Sequence, residues 1–159
     1  MDYQIPPLLF SSITKKDKEQ YRDLYEDFFV FKTMSHNVHI AIYPSWLEEY
    51  SYPRRNIYSW TYHVCIENHN KTPIYILNKT WNIIKENNQV TTIDTKLVID
   101  DVAKVNPNEV CEYTSCITLN TSSNIVKGHF RITDDTGQIL NIDIPSFTLD
   151  NPYDFYSVN

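Results

Sequence analysis

From Val38 onward the apolar residues recur at every second position, and this period constrains the fold more than any other feature of the chain. The stretch "VHIAIYP" sets Val38, Ile40 and Ile42 against His39, Ala41 and Tyr43. In "WTYHVCIEN", Trp60, Tyr62, Val64 and Ile66 alternate with Thr61, His63, Cys65 and Glu67. Successive side chains of a strand point to opposite faces, so each stretch reads as a half-buried strand with His63 and Cys65 facing outward. The segment "IYILNKTWNIIKE" is a third strand region whose phase breaks near Asn78, where a bulge or a crossover is expected. "VCEYTSCITL" and "IVKGHFRIT" are further strands. "QILNIDIPSFTL" carries Ile139, Ile142 and Ile144, with Leu140 reading as out of step, before Pro145. A proline there implies an edge, a bend or a bulge.

Turn signals separate these segments: "HNKTP" at 69–73, "NNQ" at 87–89, "NPNE" at 106–109 and "DDTG" at 134–137. Asn and Gly supply the positive φ that tight turns need. About seven or more short antiparallel strands at this spacing predict an all-β sandwich or barrel. The chain holds only two glycines, Gly128 and Gly137. Both read as frame rather than site, Gly128 for close approach within a strand and Gly137 for positive φ in the hairpin turn.

Ahead of the β region, "TKKDKEQYRDLYEDFF" at 14–29 has helical spacing, with Thr14 as its cap. Tyr21, Leu24, Tyr25, Phe28 and Phe29 form one apolar stripe. That stripe either docks on the domain or meets a partner, which makes Tyr21, Tyr25 and Phe28 candidate interaction residues. The expected organisation is an N-terminal extension with this helix over 1–36, a sandwich over 37–152 and a tail over 153–159.

With 159 residues and 42% apolar side chains, the chain can build a core without staples. A net charge of −6 argues against a nucleic-acid binder, which needs a basic face. No run approaches the ~20 apolar residues of a membrane helix. Three cysteines without CxxC spacing favour free thiols, hence a soluble cytoplasmic protein.

Catalytic chemistry is hard to find. Cys111 and Cys116 have no local base, and His129 on a later strand is the nearest speculative partner. The carboxylate pairs Glu48-Glu49, Asp100-Asp101 and Asp134-Asp135 are adjacent in sequence and read as solvated turns. The five histidines do not converge in sequence. His36 and His39 have a ligand spacing for a helix rather than a strand, so no metal site and no cofactor are expected, a metal held by dispersed ligands being the minority alternative. Phosphate-loop, nucleophile-elbow and zinc-protease signatures are missing. Arg54 and Arg55, followed by Tyr58 and Trp60, could form a small anion-binding or stacking surface, or simply an exposed loop entering a strand.

Five landmarks occur in a telling order: "YSWTYHVCIEN" (58–68), "TPIYILNKTWNI" (72–83), "NPNEVCEYTSCITLNT" (106–121), "VKGHFRI" (126–132) and "IDIPSFTL" (142–149). This series resembles the ApaG domain family over about residues 37–152. The family's basic-x-Trp, Tyr-Thr-Ser, Gly-x-aromatic and Ile-Pro-x-Phe-x-Leu motifs fall on Lys79 to Trp81, on Tyr113, Thr114 and Ser115, on Gly128, and on Ile144 to Leu149, with Pro145 and Phe147 inside the last. The resemblance implies a fibronectin type III-like, immunoglobulin-like β-sandwich and a protein-interaction or ligand-binding role, with no catalytic residues to carry over. A family label mentioning cobalt and magnesium efflux could apply only indirectly, since nothing here spans a membrane as a helix. The family's Gly-x-Gly-x-x-Gly aligns with "TKLVID" at 95–100, where Thr95, Leu97 and Asp100 replace every glycine. A phosphate-cradling loop is therefore not expected at this position. The expected function is a non-enzymatic module that binds a protein partner or a second copy of itself. The alternative is a small-ligand or metal-responsive binding protein.

Overall fold

A computed structural model describes residues 11–13, 30–96 and 103–156. Ten strands run in chain order: β1 (Ser11–Ile13), β2 (Phe31–Ser35), β3 (Val38–Trp46), β4 (Tyr58–Asn68), β5 (Ile74–Lys85), β6 (Val90–Lys96), β7 (Ala103–Val105), β8 (Val110–Leu119), β9 (Ser123–Asp134) and β10 (Ile139–Asp150). They form two antiparallel sheets. The first has the order β1-β8-β4-β3-β2, and the second has the order β10-β9-β5-β6 with β7 also paired to β5. Short 3-10 turns at Glu48–Tyr50, Pro53–Arg55 and Pro152–Tyr156 gather at one end.

The period-two pattern packs as expected. Ile40 and Ile42 of β3 and Trp60, Tyr62, Val64 and Ile66 of β4 face Trp81, Ile83, Val126, Phe130, Ile132, Ile142 and Phe147 of the second sheet in one continuous core. Rings lock the centre: Trp81 meets Phe147 edge-on at 5.2 Å and Tyr62 at 5.0 Å between centroids. The buried indole of Trp60 donates to the Asp150 carbonyl at 3.0 Å.

Two bulges set the phase. The register of β5 on β9 shifts between Ile76 and Asn78, so Ile74 and Ile76 face inward before the shift and Lys79, Trp81 and Ile83 after it. The register of β10 on β9 shifts between Ile144 and Phe147, and buried Pro145 lies in that gap, where a missing N–H costs no ladder bond. In β10 it is Ile139, half exposed, that points out, while Leu140 packs on the core in step with Ile142 and Ile144. The expectation that Leu140 is out of step is therefore corrected: Ile139 belongs to the outer face.

The close approach expected at Gly128 is present. Gly128 stands opposite Trp81, and a Cβ there would lie 2.0 Å from the Thr80 carbonyl oxygen. Gly137 has φ +80° in a turn where its N–H donates to the Asp134 carbonyl. Asn88 and Asn108 are left-handed as their turns require, and His36, Asn37 and Asn56 are too.

The first sheet reaches further toward the N-terminus than residue 37. Ser11–Ile13 pairs with β8, and Phe31–Ser35 pairs with β3. Phe31 packs on Phe147, and the Ser35 hydroxyl accepts from the Asp143 N–H, which ties β2 to β10 of the other sheet. The expected helix over 14–29, with Tyr21, Tyr25 and Phe28, lies outside the described residues, as does 157–159 of the expected tail.

Candidate functional site

Three surfaces and one buried group carry chemistry. The first surface is the end of the sandwich built by residues 47–57 and 152–156. Trp46, Tyr58 and Trp60 stack beneath it, with centroids 5.4 to 6.5 Å apart. Ser51 and Ser59 brace the loop from below: the Ser51 hydroxyl donates to the Leu47 carbonyl and accepts from the Ser59 N–H. Glu48 joins the loop to the C-terminal turn by accepting from the Trp46 indole at 2.6 Å and from the Tyr153 hydroxyl at 2.9 Å. On this base Tyr50, Tyr52 and Tyr153 are each more than half exposed. Arg54 and Arg55 form the last two residues of the 3-10 turn that follows Tyr52, and both side chains are exposed. Neither guanidinium makes an ion pair among the described residues. Tyr58, grouped with them on sequence grounds, is half-buried in the ring stack. Burial, then Asp154 and Glu86, push its hydroxyl pKa up.

The second surface is a polar basin of about 620 Å³ on the outer face of the second sheet. It is lined by Asn78, Thr80, Asp94, His129, Arg131 and Ile139 among others. Alternation on β5, β6 and β9 puts these side chains on one face. Asp94 accepts from the Thr80 hydroxyl at 2.6 Å. Thr95 also lines the basin, while residues 97–100 of the stretch aligned with the family's glycine pattern lie outside the described residues.

The third surface is the outer face of the first sheet. His63, Cys65 and Glu67 alternate along β4 and stand opposite Tyr43, Ala41 and His39 of β3. Glu112 of β8 faces Cys65 and accepts from its thiol at 3.0 Å, with His63 Nε2 at 3.4 Å. Burial would raise the Glu112 carboxyl, but hydrogen bonds from His63 and Cys65 and the His63 charge outweigh it and hold the pKa down. Two groups with metal-ligating side chains lie here, His39-Glu67-His69 and His63-Cys65-Glu112. Convergence of histidines was not expected from sequence, because the ligands come from different strands.

The buried group is Lys79. The β5 bulge turns it inward, and its side chain ends among rings: Nζ lies 4.3 Å from the Trp81 ring centre and 5.0 Å from that of Tyr62, and donates to the Tyr62 hydroxyl at 3.0 Å. It makes no ion pair among the described residues, and burial pulls its pKa down to about 7. Trp81, Tyr113 and Phe147 are core, the Thr114 hydroxyl meets His63 Nδ1 at 2.6 Å, and Ser115 pairs opposite Tyr62. Cys111 is buried and its thiol is pushed up to about 12 by burial, with Glu112 and Glu109 adding to the effect. A thiol held that far up is protonated at neutral pH.

Two antiparallel sheets closed over one core of aliphatic and aromatic side chains define a β-sandwich of the immunoglobulin-like, fibronectin type III-like class. Among the described residues, no helix is long and apolar enough to cross a membrane. The chain belongs to the ApaG domain family, whose model matches residues 48–134. Protein ApaG of Rhizobium etli is 30% identical over 123 residues, covering 77% of this chain and 95% of the relative. Protein ApaG of Mesorhizobium japonicum is 30% identical over 130 residues, covering 82% of this chain and all of the relative. Among solved structures, the ApaA protein of Bordetella pertussis superposes with a TM-score of 0.68 at 24% identity, over 72% of this chain and 94% of that one, a likeness of fold.

Proposed function

We propose that this protein is a non-enzymatic binding module whose working surface is the Tyr50, Tyr52, Arg54, Arg55 and Tyr153 end of the sandwich. The observation that carries the reading is the joint exposure, at one braced end, of three tyrosines and of two arginines that make no ion pair among the described residues. Tyr and Arg are enriched at protein interface hot spots, because a rigid ring or a planar fork buries much area at little entropic cost. The fitting partner is a protein that offers apolar side chains to the rings and carboxylates to the guanidinium forks. We place this activity in the cytoplasm, where an odd number of cysteines stays reduced.

The test is affinity purification under native conditions with the wild type and a Tyr50→Ala/Tyr52→Ala/Arg54→Glu/Arg55→Glu variant. The reading expects a reproducible protein that the variant loses. A partner retained by the variant removes this surface from the account. A second reading is favoured by the basin, where Arg131 and His129 stand beside Asn78 and Thr80 in a space of about 620 Å³, within the range of small-ligand pockets. Pyrophosphate or a nucleotide that raises Tm with concentration, and fails to do so in Arg131→Ala, supports it; a flat response removes it.

A further inference from the structure

His39 is the second residue of β3 and stands directly opposite Glu67 of β4. His69 follows Glu67 by two residues, immediately past the end of β4. Directly opposed residues of an antiparallel pair have Cβ atoms about 4.5–5.5 Å apart, which brings two side chains to one point before any folding detail is added. The imidazole centres of His39 and His69 are 4.3 Å apart, and His69 Nε2 lies 2.9 Å from Glu67 Oε1. One ligating atom from each of the three side chains lies within 4.8 Å of the other two.

The backbone under this cluster is held from two sides. Asn68, between Glu67 and His69, is fully buried; its amide donates to the Thr72 and Val105 carbonyls, and its side-chain oxygen accepts from the Asn70 N–H. The His69 N–H donates to the Asn37 carbonyl at 2.8 Å, and the Asn70 amide donates to the His36 carbonyl. Residues 67–70 therefore present their side chains from a fixed frame, which is what a ligand set needs. The carboxylate of Glu67 is buried, while both imidazoles are solvent-accessible. An ion can enter past the imidazoles and meet a carboxylate whose charge water screens poorly.

We propose that His39, Glu67 and His69 bind a divalent first-row transition metal. Two imidazoles and one carboxylate are a borderline nitrogen-oxygen donor set that suits Zn²⁺, Ni²⁺ or Cu²⁺, whereas Mg²⁺ and Ca²⁺ call for oxygen shells. Three protein ligands leave one position of a tetrahedral ion to water. The neighbouring His63-Cys65-Glu112 group is the competing address, and it differs in bringing a sulfur donor.

Zinc titration of the full chain, produced without a histidine tag, tests the site by calorimetry and by zinc X-ray absorption. His39 and His69 lie outside the core, so His39→Ala and His69→Ala keep the fold, which circular dichroism verifies. The proposal expects one zinc per chain and at least about tenfold weaker binding in each histidine variant. Cys65→Ser should leave affinity unchanged, and the metal should have only nitrogen or oxygen neighbours at about 2.0–2.1 Å. Three results overturn it: no saturable zinc binding, affinity unaffected by both histidine variants, or a sulfur neighbour at about 2.3 Å that Cys65→Ser abolishes.

Discussion

Lys79 is the residue whose environment has the sharpest consequence. Its pKa falls to about 7 through burial, against an ordinary value near 10.5 in the unfolded chain. Between these two values the unfolded chain holds a proton that the folded chain has released, so stability rises with pH across that window and is flat below it. The slope from this one group is at most about 1.4 kcal/mol per pH unit. Cys111, raised to about 12, and the buried tyrosines act in the opposite sense above pH 9, so the Lys79 signal is clearest between pH 7 and 8.5. Lys79→Met should remove that slope and raise stability at pH 7 by about 1–3 kcal/mol, because it replaces a buried amine that has no ion-pair partner among the described residues with an apolar side chain of similar length. Urea denaturation of both proteins at several pH values reads this out, and equal slopes would contradict it. The two glycines differ in mechanism at the same scale. Gly128→Ala drives a methyl into the Thr80 carbonyl and should cost about 3 kcal/mol or more. Gly137→Val meets open space but a left-handed backbone, and should cost about 1–2 kcal/mol.

At the scale of elements, β2 is the strand whose removal says most. It pairs with β3 and contacts β10 through Phe31 and Ser35, so it closes one side of the sandwich. A chain beginning at residue 30 loses β1 but keeps β2, and a chain beginning at residue 37 loses both. The second should melt well below the first, and equal Tm values would show that β2 contributes little. Strands were legible because alternation and turn chemistry are local: each of "VHIAIYP" and "WTYHVCIEN" carries its own phase. Positions after a bulge were not. Counting from Ile74 and Ile76 puts Lys79 outside, and only the register shift after Ile76 turns it in. Cross-strand convergence was equally hidden, since His39 and Glu67 meet through a pairing register that neither segment states alone. Arg54 and Arg55 could be singled out from composition, but Tyr50, Tyr52 and Tyr153 join them only because two distant turns share one end.

For the whole molecule, the two sheets distribute distinct chemistry over distinct faces. The end carries Tyr and Arg, the second sheet a polar basin, and the first sheet histidines and carboxylates. The core between them is mostly aliphatic with a knot of rings, Tyr62, Trp81 and Phe147, at its centre, which suits a rigid presenter of surfaces. Oligomeric state is settled first by light scattering, because a second copy could occupy the same end. The most direct measurement is native affinity purification with three baits: the wild type, the Tyr50→Ala/Tyr52→Ala/Arg54→Glu/Arg55→Glu variant, and Lys127→Glu as an exposed control on β9. The account predicts a protein partner captured by the wild type and by Lys127→Glu and lost from the loop variant. Capture that survives the loop variant, or no reproducible partner for the wild type, would contradict it.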